Sequence, residues 1–122
     1  MRRKKILVID DSKTALMLQQ MVLQRAYDIV TAKDGPGGIA AAIAERPDLI
    51  VLDVVMPLMN GFETCRRLRA EEATRVTPII MVTSRAHLDQ MEEGFRSGCS
   101  DYILKPVRGL ELLEKIRNCI GE

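Results

Sequence analysis

The sequence predicts an α/β fold in which helices cover both faces of a parallel sheet. Short apolar runs of strand length alternate along the chain with helical patterns of roughly 10 to 15 residues, which is typical of repeated βαβ units. The central apolar runs are almost wholly hydrophobic, as expected of strands buried on both faces. A chain of 122 residues is long enough for one domain with a substantial core and too short for two. We therefore expect a single domain over residues 1–122.

Five strands and five helices are predicted in strict alternation. The strands fall near 5–10 (β1), 27–31 (β2), 48–53 (β3), 78–83 (β4) and 100–104 (β5). The helices fall near 13–26 (α1), 36–45 (α2), 61–71 (α3), 86–97 (α4) and 109–120 (α5).

The first half of the chain is interpreted from its apolar patterning. β1 contains the apolar run 6–9. A helical period then places four residues of α1 on one face: Ala15, Leu18, Val22 and Ala26. β2 is the most polar of the five strands, which suits an edge of the sheet.

The start of α2 reads Gly-Pro-Gly-Gly at 35–38, which invites comparison with a phosphate-binding loop. The segment lacks the G-x-G-x-x-G order and the lysine of a P-loop. We interpret it as a turn, with Pro36 as the first helical residue.

The second half of the chain repeats the alternation. β3 and β4 are the apolar runs 49–52 and 79–82, each followed by one polar residue, and α3 lies between them. Leu88, Met91 and Phe95 share one face of α4, whereas Leu113, Ile116 and Ile120 share one face of α5.

Polar side chains follow four of the predicted strands. Asp10 and Asp11 come after the run of β1, Asp53 ends β3, Thr83 ends β4, and Lys105 follows β5. Because ligands of open parallel sheets bind at the carboxyl ends of the strands, we expect these side chains to gather in one crevice.

The chemistry of these groups indicates a divalent cation and a phosphoryl group. Carboxylates at contact distance repel by about 4 kcal/mol per pair at an effective dielectric of 20, so the cluster requires a cation. Hard oxygen ligands favour Mg²⁺, with Mn²⁺ as an alternative. A lysine helps to steady a phosphoryl group, and one carboxylate can then act as nucleophile. For a single aspartate, a capping or salt-bridging role is the alternative.

Taken together, the motifs resemble those of response-regulator receiver domains, and the resemblance covers the whole chain. The matching pieces are Val8-Ile9-Asp10-Asp11, the 53–61 segment Asp-Val-Val-Met-Pro-Leu-Met-Asn-Gly, Thr83-Ser84, Asp101-Tyr102 and Lys105-Pro106. The resemblance implies a flavodoxin-like (βα)5 fold, with five parallel strands in the order 2-1-3-4-5.

The resemblance also implies a role for each acid of the site. Asp53 would be the phospho-acceptor. Asp11 and the backbone carbonyl of Val55 would bind Mg²⁺ together with Asp53, and Asp10 would help through a water molecule.

The remaining motif residues would handle the phosphoryl group and the response to it. Thr83 would hydrogen-bond one phosphoryl oxygen and Lys105 would pair with another. Lys105-Pro106 would be a cis peptide. Tyr102 would turn inward as Thr83 moves, although a rim aromatic packed on α4 is the alternative.

The resemblance implies a signalling role and a set of partners. A sensor histidine kinase or a histidine phosphotransfer protein would donate the phosphoryl group, and the α4-β5-α5 face would then control a downstream protein or output domain. Met17 and Met21, one turn apart on α1, would suit docking of a kinase helix pair, with ordinary surface methionine as the alternative. Val55 and Arg85 flank the path of the hydrolytic water and predict slow self-dephosphorylation.

Composition excludes several other classes. With 18 basic and 17 acidic residues there is no basic field for direct nucleic-acid binding. No apolar stretch approaches the roughly 18 residues of a membrane helix, so we expect a soluble, cytoplasmic protein without membrane contact. The three cysteines are widely spaced, which indicates reduced thiols with no catalytic or metal-binding role. His87 is expected to be a plain solvated histidine.

Two alternatives stay open at this point. A receiver that is part of a larger DNA-binding, diguanylate cyclase or hybrid-kinase protein would present the same sequence. An Asp-nucleophile phosphohydrolase is less compatible with it, because such enzymes usually carry a second acid two residues after the nucleophile, where this chain has Val55. A flavin site would need more aromatic side chains than two tyrosines and two phenylalanines.

Overall fold

The computed structural model describes residues 3–121, except for the side chains of Arg85, Ala86 and Leu88. The strands are β1 Lys5–Ile9, β2 Asp28–Ala32, β3 Leu49–Asp53, β4 Ile79–Thr83 and β5 Asp101–Leu104. The helices are α1 Lys13–Leu23, α2 Gly35–Glu45, α3 Gly61–Ala70, α4 Met91–Ser97 and α5 Gly109–Ile120, with a 3-10 segment Arg85–Gln90 before α4.

The five strands form one parallel sheet in the order β2-β1-β3-β4-β5. The α/β class and the flavodoxin-like strand order expected from the sequence are therefore confirmed. In the register of the sheet, Asp53 lies beside Val82, and Thr83 lies beside Leu104. The ends of β3, β4 and β5 thus come together at one edge of the molecule.

Alternate residues of each strand enter two separate hydrophobic cores, one on each face of the sheet. Leu7, Ile50 and Met81 belong to the core that α2 and α3 cover. Val8 and Val51 point the other way, into the core beneath α1 and α5. Burial on both faces is the reason the sequence of the central strands is almost wholly apolar.

Three helices begin at a capping side chain. The Ser12 hydroxyl accepts the Ala15 N–H at 3.2 Å, the Asp34 carboxylate accepts the Gly37 N–H at 2.7 Å, and the Asn60 amide oxygen accepts the Glu63 N–H at 3.0 Å. Such caps satisfy N–H groups that the first turn of a helix leaves without partners. Because Asp34 caps α2, that helix starts at Gly35, one residue before Pro36.

The face predicted for α1 is confirmed only in part, because Val22 packs against the core but Ala26 lies beyond the end of the helix. The helix ends at Leu23, its buried residues are Gln19 and Leu23, and Leu18 is 57% exposed. Leu16, Gln19 and Leu23 share a helical period with equal regularity, and the polar Gln19 concealed that face in the sequence.

The helix predicted over 86–97 is shorter in the structure. A kink at His87 (φ −115°, ψ 17°) lies within the 3-10 segment, and α4 begins only at Met91. Phe95 is 48% exposed rather than a core residue, and the side chain of Leu88 lies outside the described residues. On α5, Leu113, Ile116 and Ile120 all contact the core, with Leu112 as a further buried residue.

Within residues 3–121, no helix has the length and apolar character needed to cross a membrane.

Candidate functional site

Three carboxylates meet at the carboxyl ends of β1 and β3. Asp10, Asp11 and Asp53 can each place one oxygen so that the three atoms lie within 4.8 Å of one another. Asp10 and Asp53 are almost fully buried, whereas Asp11 is exposed. The site is therefore closed on the protein side and reached from solvent past Asp11.

Asp10 is held firmly where β1 ends. Its N–H donates to the Ala32 carbonyl of β2 at 3.0 Å, which continues the sheet by one residue. Its Oδ1 accepts the Ser12 N–H at 2.9 Å, and its Oδ2 is buried with no hydrogen-bond partner among the described residues. A buried acceptor without a partner is costly, and a bound cation or an ordered water would satisfy it.

Asp53, the last residue of β3, is paired with the lysine that follows β5, two strands away in the sheet. Lys105 Nζ lies 3.3 Å from Asp53 Oδ1. The Val55 backbone, like Lys105, acts to lower the pKa of this carboxyl group. Burial, and after it the charge of Asp10, raises the pKa of Asp53 to about 6, against the opposing effect of Lys105. The carboxyl group is thus ionised at neutral pH, although burial and the charge of Asp10 destabilise the ionised form.

The donor set fits a hard divalent cation. All three side chains offer carboxylate oxygens, none is a thiol or an imidazole, and a buried Asp10 oxygen is still available. Such donors suit Mg²⁺ or Mn²⁺ better than softer metals.

Thr83 and Lys105 are brought together by the pairing of β4 and β5. The Lys105 N–H donates to the Thr83 carbonyl at 2.7 Å, and the Lys105–Pro106 peptide bond is cis. Thr83 is 6% exposed, whereas the Lys105 side chain is 41% exposed. The lysine therefore spans from the protein surface to the buried Asp53.

Tyr102 of β5 packs against α4. Its ring contacts Phe95 edge to face, with centroids 5.5 Å apart and planes at 75°. It is half-buried against the core, and it shares with Thr83 the wall of a small cavity.

The loop from β3 to α3 requires a glycine at its end. The Gly61 N–H donates to the Val54 carbonyl at 2.8 Å, and a Cβ on Gly61 would lie 2.7 Å from the Val54 Cα and closer still to the Asp53 carbonyl oxygen. The first turn of α3 therefore rests directly on the backbone of the Asp53 segment and fixes it. Val55, between them, is 53% exposed.

Two contributors to the site were not anticipated from the sequence. The Ser12 N–H fixes Asp10, and backbone groups of this kind carry no residue-specific signal. His87, expected to be plainly solvated, is half-buried, and its Nδ1 lies 2.7 Å from the Ser84 Oγ. The Ser-x-x-His spacing is the signal that could have indicated this contact, since it closes one helical turn.

The chain matches the family model described as "Response regulator receiver domain" over residues 6–117. This chain belongs to the response-regulator receiver family. Receiver domains are signalling domains of two-component systems, and this one shares their acidic crevice.

Three similar proteins illustrate the range of the family. The chain is 40% identical over 114 residues to the DNA-binding dual master transcriptional regulator RpaA of Synechocystis sp., covering 93% of this chain and 47% of that protein. It is 36% identical over 113 residues to Protein PilH of Pseudomonas aeruginosa, covering 92% and 93% respectively. The structure matches the receiver domain of sensor histidine kinase PA1611 from Pseudomonas aeruginosa, solved with a magnesium ion coordinated in the active site cleft, with a TM-score of 0.89, 28% identity and 98% of each chain covered.

Several curated relatives are longer than this chain, which spans 25% to 47% of their length. Receivers of this family are often joined to output domains, and some relatives are named DNA-binding regulators. The expectation that this segment does not itself contact nucleic acid stays a prediction.

Proposed function

We propose that residues 1–122 form a single receiver domain that accepts a phosphoryl group on Asp53 from a phosphohistidine. The donor is a sensor histidine kinase or a histidine phosphotransfer protein. The observation that carries the proposal is the position of Asp53, which ends a buried strand beside two further carboxylates and 3.3 Å from Lys105 Nζ. A carboxylate in such a setting is a nucleophile with a cation prepared for the incoming negative charge.

The proposed step is a direct displacement at phosphorus. An Asp53 oxygen forms the new bond to phosphorus while the bond from phosphorus to the imidazole nitrogen breaks, and the nitrogen retains that electron pair. Lys105 pairs with one phosphoryl oxygen, and the Thr83 hydroxyl donates to another. Asp53 is held in place for this reaction by the loop that Gly61 closes.

The acidic cluster would hold the cation that this chemistry requires. Asp11, Asp53 and the Val55 carbonyl would bind Mg²⁺ directly, and Asp10 would bind it through water, with Mn²⁺ as a substitute. The bound ion supplies positive charge that offsets the repulsion between the carboxylates and the phosphoryl oxygens. The buried Asp10 oxygen without a partner supports this assignment.

Phosphorylation would act on partners through the α4-β5-α5 face. A hydrogen bond from Thr83 to the phosphoryl group would draw the end of β4 towards Asp53 and allow Tyr102 to turn inward. Both residues line the same cavity, and Tyr102 contacts Phe95 of α4, so their movement reaches that face. The downstream protein or output domain would recognise the changed face.

The first test is the intact mass of the protein after incubation with acetyl phosphate and Mg²⁺. One added phosphoryl group is expected in the wild type and in the control Asp89→Ala, which removes an exposed aspartate. The adduct should be absent from Asp53→Ala and from samples that contain EDTA. No adduct in the wild type after rapid quenching, or an adduct that persists in Asp53→Ala, would contradict the proposal.

The phosphorylated protein should hydrolyse slowly. Val55 presents an apolar, 53% exposed side chain beside Asp53 and offers no group to orient a water, while the side chain of Arg85 lies outside the described residues. We expect a half-life of minutes or longer in Mg²⁺, and a shorter one in Val55→Asn, measured by the decay of the mass adduct. A wild-type half-life of seconds would contradict this expectation, and turnover of a generic phosphate ester would indicate a hydrolase instead.

A further inference from the structure

Ser84 and His87 are joined twice across one turn that directly follows Thr83. The His87 N–H donates to the Ser84 carbonyl at 3.0 Å, and the His87 Nδ1 lies 2.7 Å from the Ser84 Oγ. The second bond joins side chains and can break without unfolding the turn. Because Ser84 is covalently next to Thr83, a displacement of Thr83 moves one end of this bond.

His87 also lies within the 3-10 segment Arg85–Gln90 that precedes α4. Its backbone is kinked, and its side chain lines the small cavity whose wall includes Thr83 and Tyr102. The imidazole therefore contacts Ser84 on one side and forms part of the cavity wall on the other.

The cavity is too small for the Tyr102 ring. Its volume is about 10 Å³, room for one water molecule at most, whereas an aromatic ring requires a cavity on the order of 150 Å³. Tyr102 can turn inward only if part of the wall moves. Of the described residues in that wall, His87 is the one bonded to the neighbour of Thr83.

We propose that the Ser84–His87 hydrogen bond is a latch that keeps His87 in the cavity wall and Tyr102 outside it until Thr83 moves. His87 is thus a positioning residue that couples Thr83 to Tyr102, and it takes no part in phosphoryl transfer. The inference rests on the proposed function, because it deepens the switching step of the same site. It attributes the outward position of Tyr102 in the unphosphorylated protein to the hydrogen bond between Ser84 and His87.

The test is the ¹⁹F NMR spectrum of protein labelled with 3-fluorotyrosine, with the Tyr102 resonance assigned by Tyr102→Phe. Spectra of the unphosphorylated wild type and of the wild type with Mg²⁺ and beryllium fluoride, a phosphoryl analogue, define the two ends of the shift. Ser84→Ala removes the latch without changing the imidazole. It should raise the ratio of inward to outward Tyr102 in the unphosphorylated protein about fivefold, as expected from the loss of one hydrogen bond. His87→Ala should raise it at least as much.

Two further variants distinguish loss of the Ser84–His87 hydrogen bond from a general loss of packing around α4. Ser97→Ala removes a serine hydroxyl that donates to the Gly94 carbonyl within α4, and it should leave the Tyr102 resonance unchanged. His87→Asn retains a polar atom close to the position of Nδ1 and should restore the wild-type resonance. Intact mass after acetyl phosphate treatment should show one adduct in every variant.

The outcomes distinguish this inference from the proposed function. A wild-type Tyr102 resonance in Ser84→Ala, with a normal mass adduct, would overturn the latch and leave the phospho-acceptor assignment standing. An equal shift in Ser97→Ala would overturn it as well. Absence of the adduct from the wild type would remove the proposed function, and the spectra of the unphosphorylated variants would still decide whether the latch exists.

Discussion

Asp53 is a carboxylate residue that is almost fully buried, with only 3% of its surface exposed. Burial disfavours the charged form and Asp10 adds repulsion, so the pKa of Asp53 rises from 3.8 to about 6. Between these two pH values the folded protein binds more protons than the unfolded chain. The free energy of unfolding contributed by this group therefore falls as pH rises from about 4 to about 6, and above that the penalty is complete at about 3 kcal/mol.

This penalty predicts that Asp53→Asn stabilises the metal-free protein. At pH 7.5 in EDTA we expect the free energy of unfolding to increase by about 2 kcal/mol, because a neutral amide replaces a buried charge. At pH 4 the gain should almost disappear, since the wild-type carboxyl group is then protonated in the folded state. Urea denaturation followed by circular dichroism at both pH values measures the difference.

A divalent cation supplies the control for this prediction. Mg²⁺ should stabilise the wild type more than Asp53→Asn, because the variant lacks one anionic ligand. A variant that is less stable than the wild type at pH 7.5 in EDTA would show that the ion pair with Lys105 outweighs the cost of burial.

Site residues were predictable from the sequence when their position follows from the end of a strand. Asp10, Asp53, Thr83 and Lys105 come together because the carboxyl ends of parallel strands share one crevice. The contact of His87 with Ser84 was not predictable in the same way. It joins two polar residues one turn apart in a kinked segment, which no apolar period reveals.

At the scale of the elements, the start of α3 packs directly against the backbone at the end of β3. Gly61→Ala should destabilise the protein by about 1–3 kcal/mol, because the new methyl group would overlap backbone atoms that have no room to move. It should also slow phosphorylation by acetyl phosphate, since the Asp53 segment would be displaced. Denaturant midpoints and the rate of adduct formation are the measurements.

Gly37→Ala is the matched control for Gly61→Ala. It also lies in the first turn of a helix, and a Cβ there would lie 2.9 Å from the Asp34 Oδ1 that caps α2, the end of a side chain that can shift. Alanine favours the helix by about 1 kcal/mol, which offsets a weakening of that cap. We expect little loss of stability and a normal phosphorylation rate. Equal effects of the two substitutions would contradict the tight contact at Gly61.

The elements themselves show where periodicity is a sufficient guide and where it is not. The strands were predictable within about one residue because burial on both faces leaves long apolar runs with polar ends. The buried face of α1 was not, because two sets of residues share a helical period and the buried one includes the polar Gln19. The late start of α4 results from the kink at His87 and has no apolar signature.

At the scale of the whole molecule, α1 presents an apolar surface next to the acidic crevice. Met17, Leu18 and Met21 are each more than half exposed. Flexible thioethers adapt well to the side chains of a partner helix. This surface is where we expect the phosphohistidine donor to dock.

Docking on α1 predicts that Met17→Glu slows phosphotransfer from the kinase or phosphotransfer protein about tenfold, equivalent to ~1.4 kcal/mol. Phosphorylation by acetyl phosphate should be unchanged, because a small donor needs no docking surface. Val76→Glu places the same charge at an 85% exposed apolar residue in the loop before β4, at the end of the strands opposite the crevice. It should alter neither rate. Equal transfer rates for Met17→Glu and the wild type would exclude this surface.

The strand order has one further consequence, for the folding of the chain. Asp10 follows β1, near the start of the chain, and Lys105 follows β5, near its end, while Asp53 lies on the central strand between them. The crevice is therefore assembled only after β1, β3, β4 and β5 have paired, and a chain that lacks the pairing of either end lacks the Asp10 carboxylate or the lysine. Under the proposed chemistry, phosphorylation of Asp53 therefore requires that these strands are folded. Misfolded or partly folded molecules would not be phosphorylated and would therefore not activate a downstream partner.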